Sequence, residues 1–540
     1  MTTSFITTAI PYVNARPHLG FAYELVIADV LARHHRRRGR DVRFITGTDD
    51  NSLKNVVAAQ REGLTPRALV DRNAAAFAEL GRLLNIATDD FIRTSTDPRH
   101  LAAVDWLWRA CGASGDLYVE RWQGRYCAGC EAFVDDDVTI CVEHGTAPEP
   151  VSEPNWFFRL SRYREPVRDA IVSGRLEILP DAARAEILGF LDGEVRELSV
   201  SRVATRSSGW GIPVPDDPSQ VIYVWFDSLA NYLAALGLGS GDDALLNRYW
   251  RDGETAHVIG KGITRFHAAY WPAFLLSAGL PLPDRILVHG YLTVDGDKIS
   301  KSGRPVPGAL RSKESAILAS PDGRSIDRAQ GNIEVAPVVA EVGADALRWY
   351  FARRCRTRSD SDVSIAAICD AYDGDLADRL GNLVQRCSAL AGKLCAGCVP
   401  EPIDTPAATE LRARAEALPA RIDAALAAFL LDDAAAAIVE ALDAANRYLE
   451  QIAPWRLQRS DPTAAAGALY APLELARFVA GELSPFVPRV ADTVAASLGT
   501  GQLAPVWGVL RAGHPLRIGP PPLPRKAAVR GGSATAPIRR

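Results

Sequence analysis

Ser4-Phe-Ile-Thr-Thr-Ala-Ile10, Pro11-Tyr-Val-Asn-Ala-Arg-Pro17, His18-Leu-Gly-Phe21 and Arg43-Phe-Ile-Thr46 follow one another within the first 46 residues, and their order decides the fold. The first run is rich in β-branched and aromatic side chains and predicts a strand. Two prolines then bracket a turn. From His18 to about Arg37 apolar residues recur at helical spacing, and the last run predicts a second strand. A strand, loop, helix and strand in that order begin a doubly wound, parallel α/β sheet.

Outward from this unit, Val221-Ile-Tyr-Val-Trp225, Thr255-Ala-His-Val-Ile259 and Arg285-Ile-Leu-Val288 read as buried strands that resume the sheet. Residues 116–215 interrupt it with short strands, turns and a Cys/His cluster, which predicts a domain inserted into a split sheet. From about residue 340 the chain is Ala-rich, and apolar residues recur every three or four positions in 408–430 and 433–452, the pattern of a helical bundle. The division expected is a first sheet half over 1–115, an insertion over 116–215, a second sheet half over 216–302, and a Gly/Pro/Ser/Arg-rich loop over 303–330. A connecting segment over 331–365, the bundle over 366–515 and a loose tail over 516–540 complete it.

The composition narrows the class. A chain of 540 residues, 48% hydrophobic and 23% charged, has room for several domains and is neither disordered nor fibrous. No basic leader or stretch of about 18 uncharged apolar residues occurs, so a secreted or membrane-spanning protein is not expected. Nine cysteines, an odd number, fit reduced thiols in the cytoplasm better than a disulfide framework. The net charge of −4 excludes a strongly basic nucleic-acid coat but not a local basic face. Of 61 basic residues only seven are lysine, so Lys261 in Ile259-Gly-Lys261 and the pair Lys298 and Lys301 in Asp297-Lys-Ile-Ser-Lys-Ser302 stand out. A compact ammonium on a flexible stem suits a phosphate that moves during reaction.

His18-Leu-Gly-Phe21 opens the first helix, where free N–H groups and a partial positive charge attract phosphate. Lys298-Ile-Ser-Lys-Ser302 follows the last strand and could close cationic groups over a leaving pyrophosphate. Cys127-Ala-Gly-Cys130 and Cys141-Val-Glu-His144, ten residues apart, suit a closed tetrahedral zinc site of structural type. Cys395-Ala-Gly-Cys398 has no second pair nearby and reads as structural.

The first two of these elements resemble the HIGH and KMSKS motifs of class I aminoacyl-tRNA synthetases. From about residue 4 to 515 the chain is similar to the methionyl branch of that family. The ordered matches are Tyr12-Val-Asn14, Thr46-Gly-Thr-Asp49, Asn155-Trp-Phe-Phe-Arg-Leu160, Trp210-Gly-Ile-Pro-Val-Pro215, Tyr223-Val-Trp-Phe-Asp227, Ile259-Gly-Lys261, Gly343-Ala-Asp-Ala-Leu-Arg348 and Ala453-Pro-Trp455. The resemblance implies a split Rossmann-type sheet, an inserted zinc-knuckle domain and an α-helical anticodon-binding bundle. It implies that methionine and ATP, with Mg2+, form methionyl-adenylate, and that the methionyl group passes to tRNA(Met).

Carried over residue by residue, it puts catalysis on His18, Lys298 and Lys301, and ATP binding on these with Gly20 and Phe21. Ile10, Tyr12, Asp49, Trp225, Leu229, Tyr232, Ile263 and His267 would form the methionine pocket. Aromatic walls suit a soft thioether, and a carboxylate suits an ammonium. Cys127, Cys130, Cys141 and His144 would hold zinc. Asn382, Arg386 and Trp455 would read a CAU anticodon, by hydrogen bonds to base edges and by stacking. A cytoplasmic monomer is expected, since no appended dimerisation domain is read.

Three departures surround the positions expected to meet ATP. Phe21 replaces the second His of HIGH, Asp49-Asp-Asn-Ser52 replaces Asp-Glu-His-Gly, and 303–330 stands where the family usually has one residue. A phenyl ring cannot donate to phosphate, and losing a charge-assisted bond costs about 1.5–3 kcal/mol. Other readings therefore stay open: a specialised or resistance-type second copy, a tRNA-binding homologue with weakened adenylation, or a biosynthetic adenylating enzyme.

Overall fold

The computed structural model describes residues 2–127, 132–134, 137–141, 146–294, 297–298 and 334–526. They fall into two compact units, one built on 2–291 with 334–335 and the other on 292–298 with 336–526.

The first unit is organised by a parallel sheet of six strands in the order Asp90–Arg93, Asp41–Thr48, Thr3–Thr8, Glu254–Gly260, Arg285–His289, Glu177–Leu179. Phe5, Ile6, Val258, Ile259 and Ile286 are buried, so the central strands are covered on both faces, as parallel sheets require. The strand order reverses between Thr3–Thr8 and Glu254–Gly260, and at such a reversal loops diverge and leave a crevice for a ligand. Leu19–Arg37 follows the first strand as a helix, with His34, His35, Arg36 and Arg37 at its negative end.

The sheet differs from the sequence reading in three places. Val221–Trp225 does not join it: Asp217–Ile222 pairs antiparallel with Ser201–Val203 and Pro213–Val214, and the chain turns at Tyr223 into the helix Val224–Leu229. A short apolar run reads the same in a buried strand and a buried helix. Asp90–Arg93 and Glu177–Leu179 are edge strands too short and too charged to signal themselves. The second of these lies inside the stretch read as an insertion.

That stretch also carries a four-stranded antiparallel sheet in the order Ala132–Val134, Leu117–Cys127, Glu149–Phe158, Leu198–Ser199. Cys127 ends its longest strand, and both Cys127 and Cys141 are buried. Cys130 and His144 lie outside the described residues, as do Lys301 and the loop 303–330.

In the second unit, Pro406–Ala427 and Leu431–Ile452 bear out the two helical patterns. They pack with Tyr470–Leu483, whose 14 residues are all buried. A helix buried on every side must pair its charges, and Arg477 donates to Glu474 at 2.7 Å with both side chains fully buried. Residues 516–526 correct the expectation of a loose tail. Leu516 and Leu523 are buried, Arg525 pairs with Asp378, and the Lys526 N–H donates to Asp373 at 2.6 Å. Polar and Pro-rich composition hid these two apolar anchors. Among the described residues no helix is long and apolar enough to cross a membrane.

Candidate active site

His18 caps the first helix. Its Nδ1 accepts the Gly20 N–H at 3.0 Å, which leaves Nε2 as the donor of the neutral ring. A Cβ on Gly20 would stand 2.9 Å from His18 Cε1, so only glycine allows the imidazole to fold back over the helix start. Phe21, expected at the ATP site, is a buried side chain of this first turn. It is 7% exposed and packs edge-to-face on Phe77 at 5.2 Å. A side chain with no donor gains more from this apolar contact than from a phosphate.

The loop after the first strand is tied down by Asn73, whose amide donates to the Val13 carbonyl at 2.6 Å. Tyr12 and Asp49 face each other across a parallel bridge, with the Asp49 N–H on the Pro11 carbonyl at 2.9 Å. Ile10 lies over Gly47, where a Cβ would come 3.1 Å from Ile10 Cγ2 and 2.2 Å from the Ile92 carbonyl oxygen. Trp225 meets Tyr12 edge-on at 6.3 Å, stacks on Phe266 at 3.8 Å and meets His267 edge-on at 6.2 Å. Leu229 lies one turn beyond Trp225 and is buried.

Tyr232 and His267 form a fixed pair. His267 Nδ1–H donates to the Ile263 carbonyl at 3.0 Å, so Nε2 accepts the Tyr232 hydroxyl at 2.7 Å. Burial lowers the His267 pKa to about 4 and raises that of Tyr232 well above its ordinary value, so both are neutral near pH 7. Behind them Thr7 meets His257 Nδ1 at 2.7 Å and Trp271 donates to His257 Nε2 at 3.3 Å. Tyr12, Trp225, Tyr232, Ile263 and His267 are thus linked by direct contacts. Phe266, His257 and Lys54, whose ammonium lies 4.7 Å over the Tyr12 ring, were not anticipated. Adjacency to His267 was the only signal for Phe266.

Asp50, beside Asp49, is buried among Arg93 and Ser95, which donate to its Oδ2 at 2.7 and 2.6 Å. Burial raises its pKa, and Arg93 and Ser95 oppose the rise. Lys261 follows the strand Glu254–Gly260, with its ammonium 4.7 Å over the Tyr291 ring. Lys298 pairs through its backbone with Thr293 in the short ribbon Leu292–Val294 and Asp297–Lys298.

In the helical unit, Asn382 starts the helix Asn382–Leu394 and is exposed. Arg386 lies one turn on, its guanidinium 5.1 Å over the ring of Trp455. Trp455 is half-buried in the helix Pro454–Leu457, and Ala453 enters that helix in the left-handed region at φ 46°. A partly open indole beside a planar cation offers a stacking platform for an unpaired base.

Comparison with known proteins finds relatives of both units. The family described as tRNA synthetases class I (M) matches residues 4–141, 138–310 and 321–388. The anticodon binding domain of methionyl tRNA ligase matches residues 399–518. The methionine–tRNA ligase of Brucella melitensis biotype 1 is 38% identical over 530 residues, covering 94% of this chain and 95% of that protein. That of Rhizobium meliloti is 37% identical, covering 97% and 98%. The structure of Mycobacterium tuberculosis methionyl-tRNA synthetase in complex with methionyl-adenylate superposes with a TM-score of 0.87 at 35% identity, over 97% of this chain and all of the other. With the sheet, the capped helix and the helical unit all matched end to end, the chain belongs to the methionyl group of the class I tRNA synthetases.

Proposed function

We propose that the chain is a methionine–tRNA ligase. A carboxylate oxygen of methionine attacks the α-phosphorus of ATP, the bond to the β-phosphate breaks, and methionyl-adenylate and pyrophosphate form. A ribose hydroxyl at the 3′ end of a tRNA with a CAU anticodon then attacks the acyl carbon and AMP leaves. Similarity over nearly the whole chain to methionine–tRNA ligases supports this activity.

The observation that carries the amino-acid specificity is the neutral Tyr232–His267 pair within the aromatic walls of Tyr12, Trp225 and Phe266. The pair itself gives a charged side chain no counter-ion, while a thioether gains sulfur–aromatic contact with the surrounding rings. Ile10, Leu229 and Ile263 supply apolar wall. Asp49 holds the substrate ammonium.

On the nucleotide side, the positive end of the first helix attracts phosphate and the His18 ring donates to it through Nε2–H, with Gly20 leaving room for the ring over the helix start. Lys298 and Lys301 meet the charge that develops as pyrophosphate separates. Mg2+ enters with ATP. The loop 303–330 brings Arg304, Arg311, Lys313, Arg324 and Arg328 into the same stretch of chain, and in this reading it governs closure of the lysine loop.

Asn382, Arg386 and Trp455 read the anticodon, supported by the Arg386–Trp455 contact. The residue types Cys127, Cys130, Cys141 and His144 fit a structural zinc ion, which would hold an insertion with little core of its own. Among the described residues no group of three or more metal-binding side chains gathers, since two of these four lie outside them. A cytoplasmic monomer completes the proposal, and a solution mass near the 58.3 kDa of one chain tests it. Methionine-dependent exchange of pyrophosphate into ATP tests the first reaction; its absence would reject the reading.

A further inference from the structure

Asp227 is fully buried, and its two carboxylate oxygens are held by residues from two other parts of the first unit. Oδ1 faces His100 Nε2 at 2.5 Å, and Oδ2 accepts the Asn51 side-chain amide at 2.7 Å. His100, itself fully buried, comes from the first turn of the helix Pro98–Ala113. Its Nδ1 has no hydrogen-bond partner among the described residues, and Nε2 is the ring nitrogen that meets Asp227. The Asn51 amide also reaches the Thr94 carbonyl at 3.4 Å. A carboxylate in such a place is tolerated only while its donors remain.

The positions of these three residues give the cluster its meaning. Asn51 lies two residues after Asp49, and Asp227 lies between Trp225 and Leu229 on the helix Val224–Leu229. The Asn51–Asp227 bond therefore ties the loop that carries Asp49 to the helix that carries Trp225. The bond thus joins two segments that carry residues of the proposed methionine pocket, although the sequence pattern had grouped Asn51 with the departures around ATP.

We propose that Asn51, through Asp227 and His100, is a positioning residue for the methionine pocket and not a nucleotide contact. It fixes the separation between the carboxylate that receives the substrate ammonium and the indole that walls its side chain. The proposal rests on the pocket reading given above.

Pyrophosphate exchange by the full chain, with methionine and ATP varied separately, tests it. Asn51→Ala leaves Asp227 short of a donor, and the KM for methionine is expected to rise about tenfold or more while that for ATP stays within about twofold. Asn51→His restores an N–H at the same place and is expected to recover most of the loss. Trp225→Ala, run alongside, is expected to raise the methionine KM by itself.

A rise confined to the ATP KM in Asn51→Ala, or no change in either KM, overturns the proposal if Trp225→Ala behaves as expected. If Trp225→Ala leaves the methionine KM unmoved, the pocket reading itself fails. Thermal melts check that each variant is folded. Should Asn51→Ala not fold, Asn51→Ser, whose short hydroxyl does not span the gap to Asp227, takes its place under the same criteria.

Discussion

The Tyr232 hydroxyl donates to His267 Nε2 across 2.7 Å, because His267 already commits its Nδ1–H to the Ile263 carbonyl. One ring thereby holds two elements of the pocket together, and both of its nitrogens are satisfied without a charge.

Tyr232→Phe removes the donor and leaves a buried imidazole nitrogen unpaired. An unsatisfied polar group of this kind costs about 1–3 kcal/mol, so the methionine KM in exchange is expected to rise on the order of tenfold. An unchanged KM with an unchanged melting temperature would remove the pair from the account of specificity.

Burial lowers the His267 pKa from 6.5 in the unfolded chain to about 4 in the folded one. The folded state then binds fewer protons than the unfolded state between these values. The stability involved is present in full above about pH 6.5 and is lost as the pH falls through about 4. Denaturant unfolding is expected to show a steeper loss over this window in the parent chain than in His267→Gln. Parallel slopes would mean that the imidazole is protonated in the fold.

Three Cys and one His make a closed ligand set, so the purified, reduced protein is expected to carry about one zinc per chain. Cys127→Ser with Cys130→Ser should lose the metal and spare the sheet residues that approach ATP. Elemental analysis of a folded sample that finds no zinc would reject the knuckle.

Trp455→Ala is expected to impair tRNA charging while leaving pyrophosphate exchange nearly unchanged. Stacking of one base is worth about 1–3 kcal/mol. A parental charging rate would mean that the indole serves only as the surface on which Arg386 packs.

The start of the fold was legible because strand, turn, cap and helix each carry a local signature, and all four agree from Thr3 to Arg37. The long helices of the second unit were legible for the same reason. Asp90–Arg93 and Glu177–Leu179 were not, since a strand of three or four residues at a sheet edge has too few side chains to show a period. Val221–Trp225, read as one strand of the parallel sheet, divides instead between the end of the strand Asp217–Ile222 and the start of the helix Val224–Leu229, a boundary that a short apolar run does not mark. In the site, the family resemblance implied Tyr12, Trp225 and His267, but nothing local showed that Phe21 packs on Phe77 or that Asn51 reaches Asp227. Such pairings, 56 and 176 residues apart, exist only in the folded chain.

The most direct measurement is charging of unfractionated tRNA by the purified full chain with ATP and each amino acid in turn. The account predicts that methionine is esterified to a tRNA bearing a CAU anticodon, and that norleucine and leucine are charged far less. Charging of another amino acid in preference to methionine, or adenylate formation with no transfer to any tRNA, would contradict it.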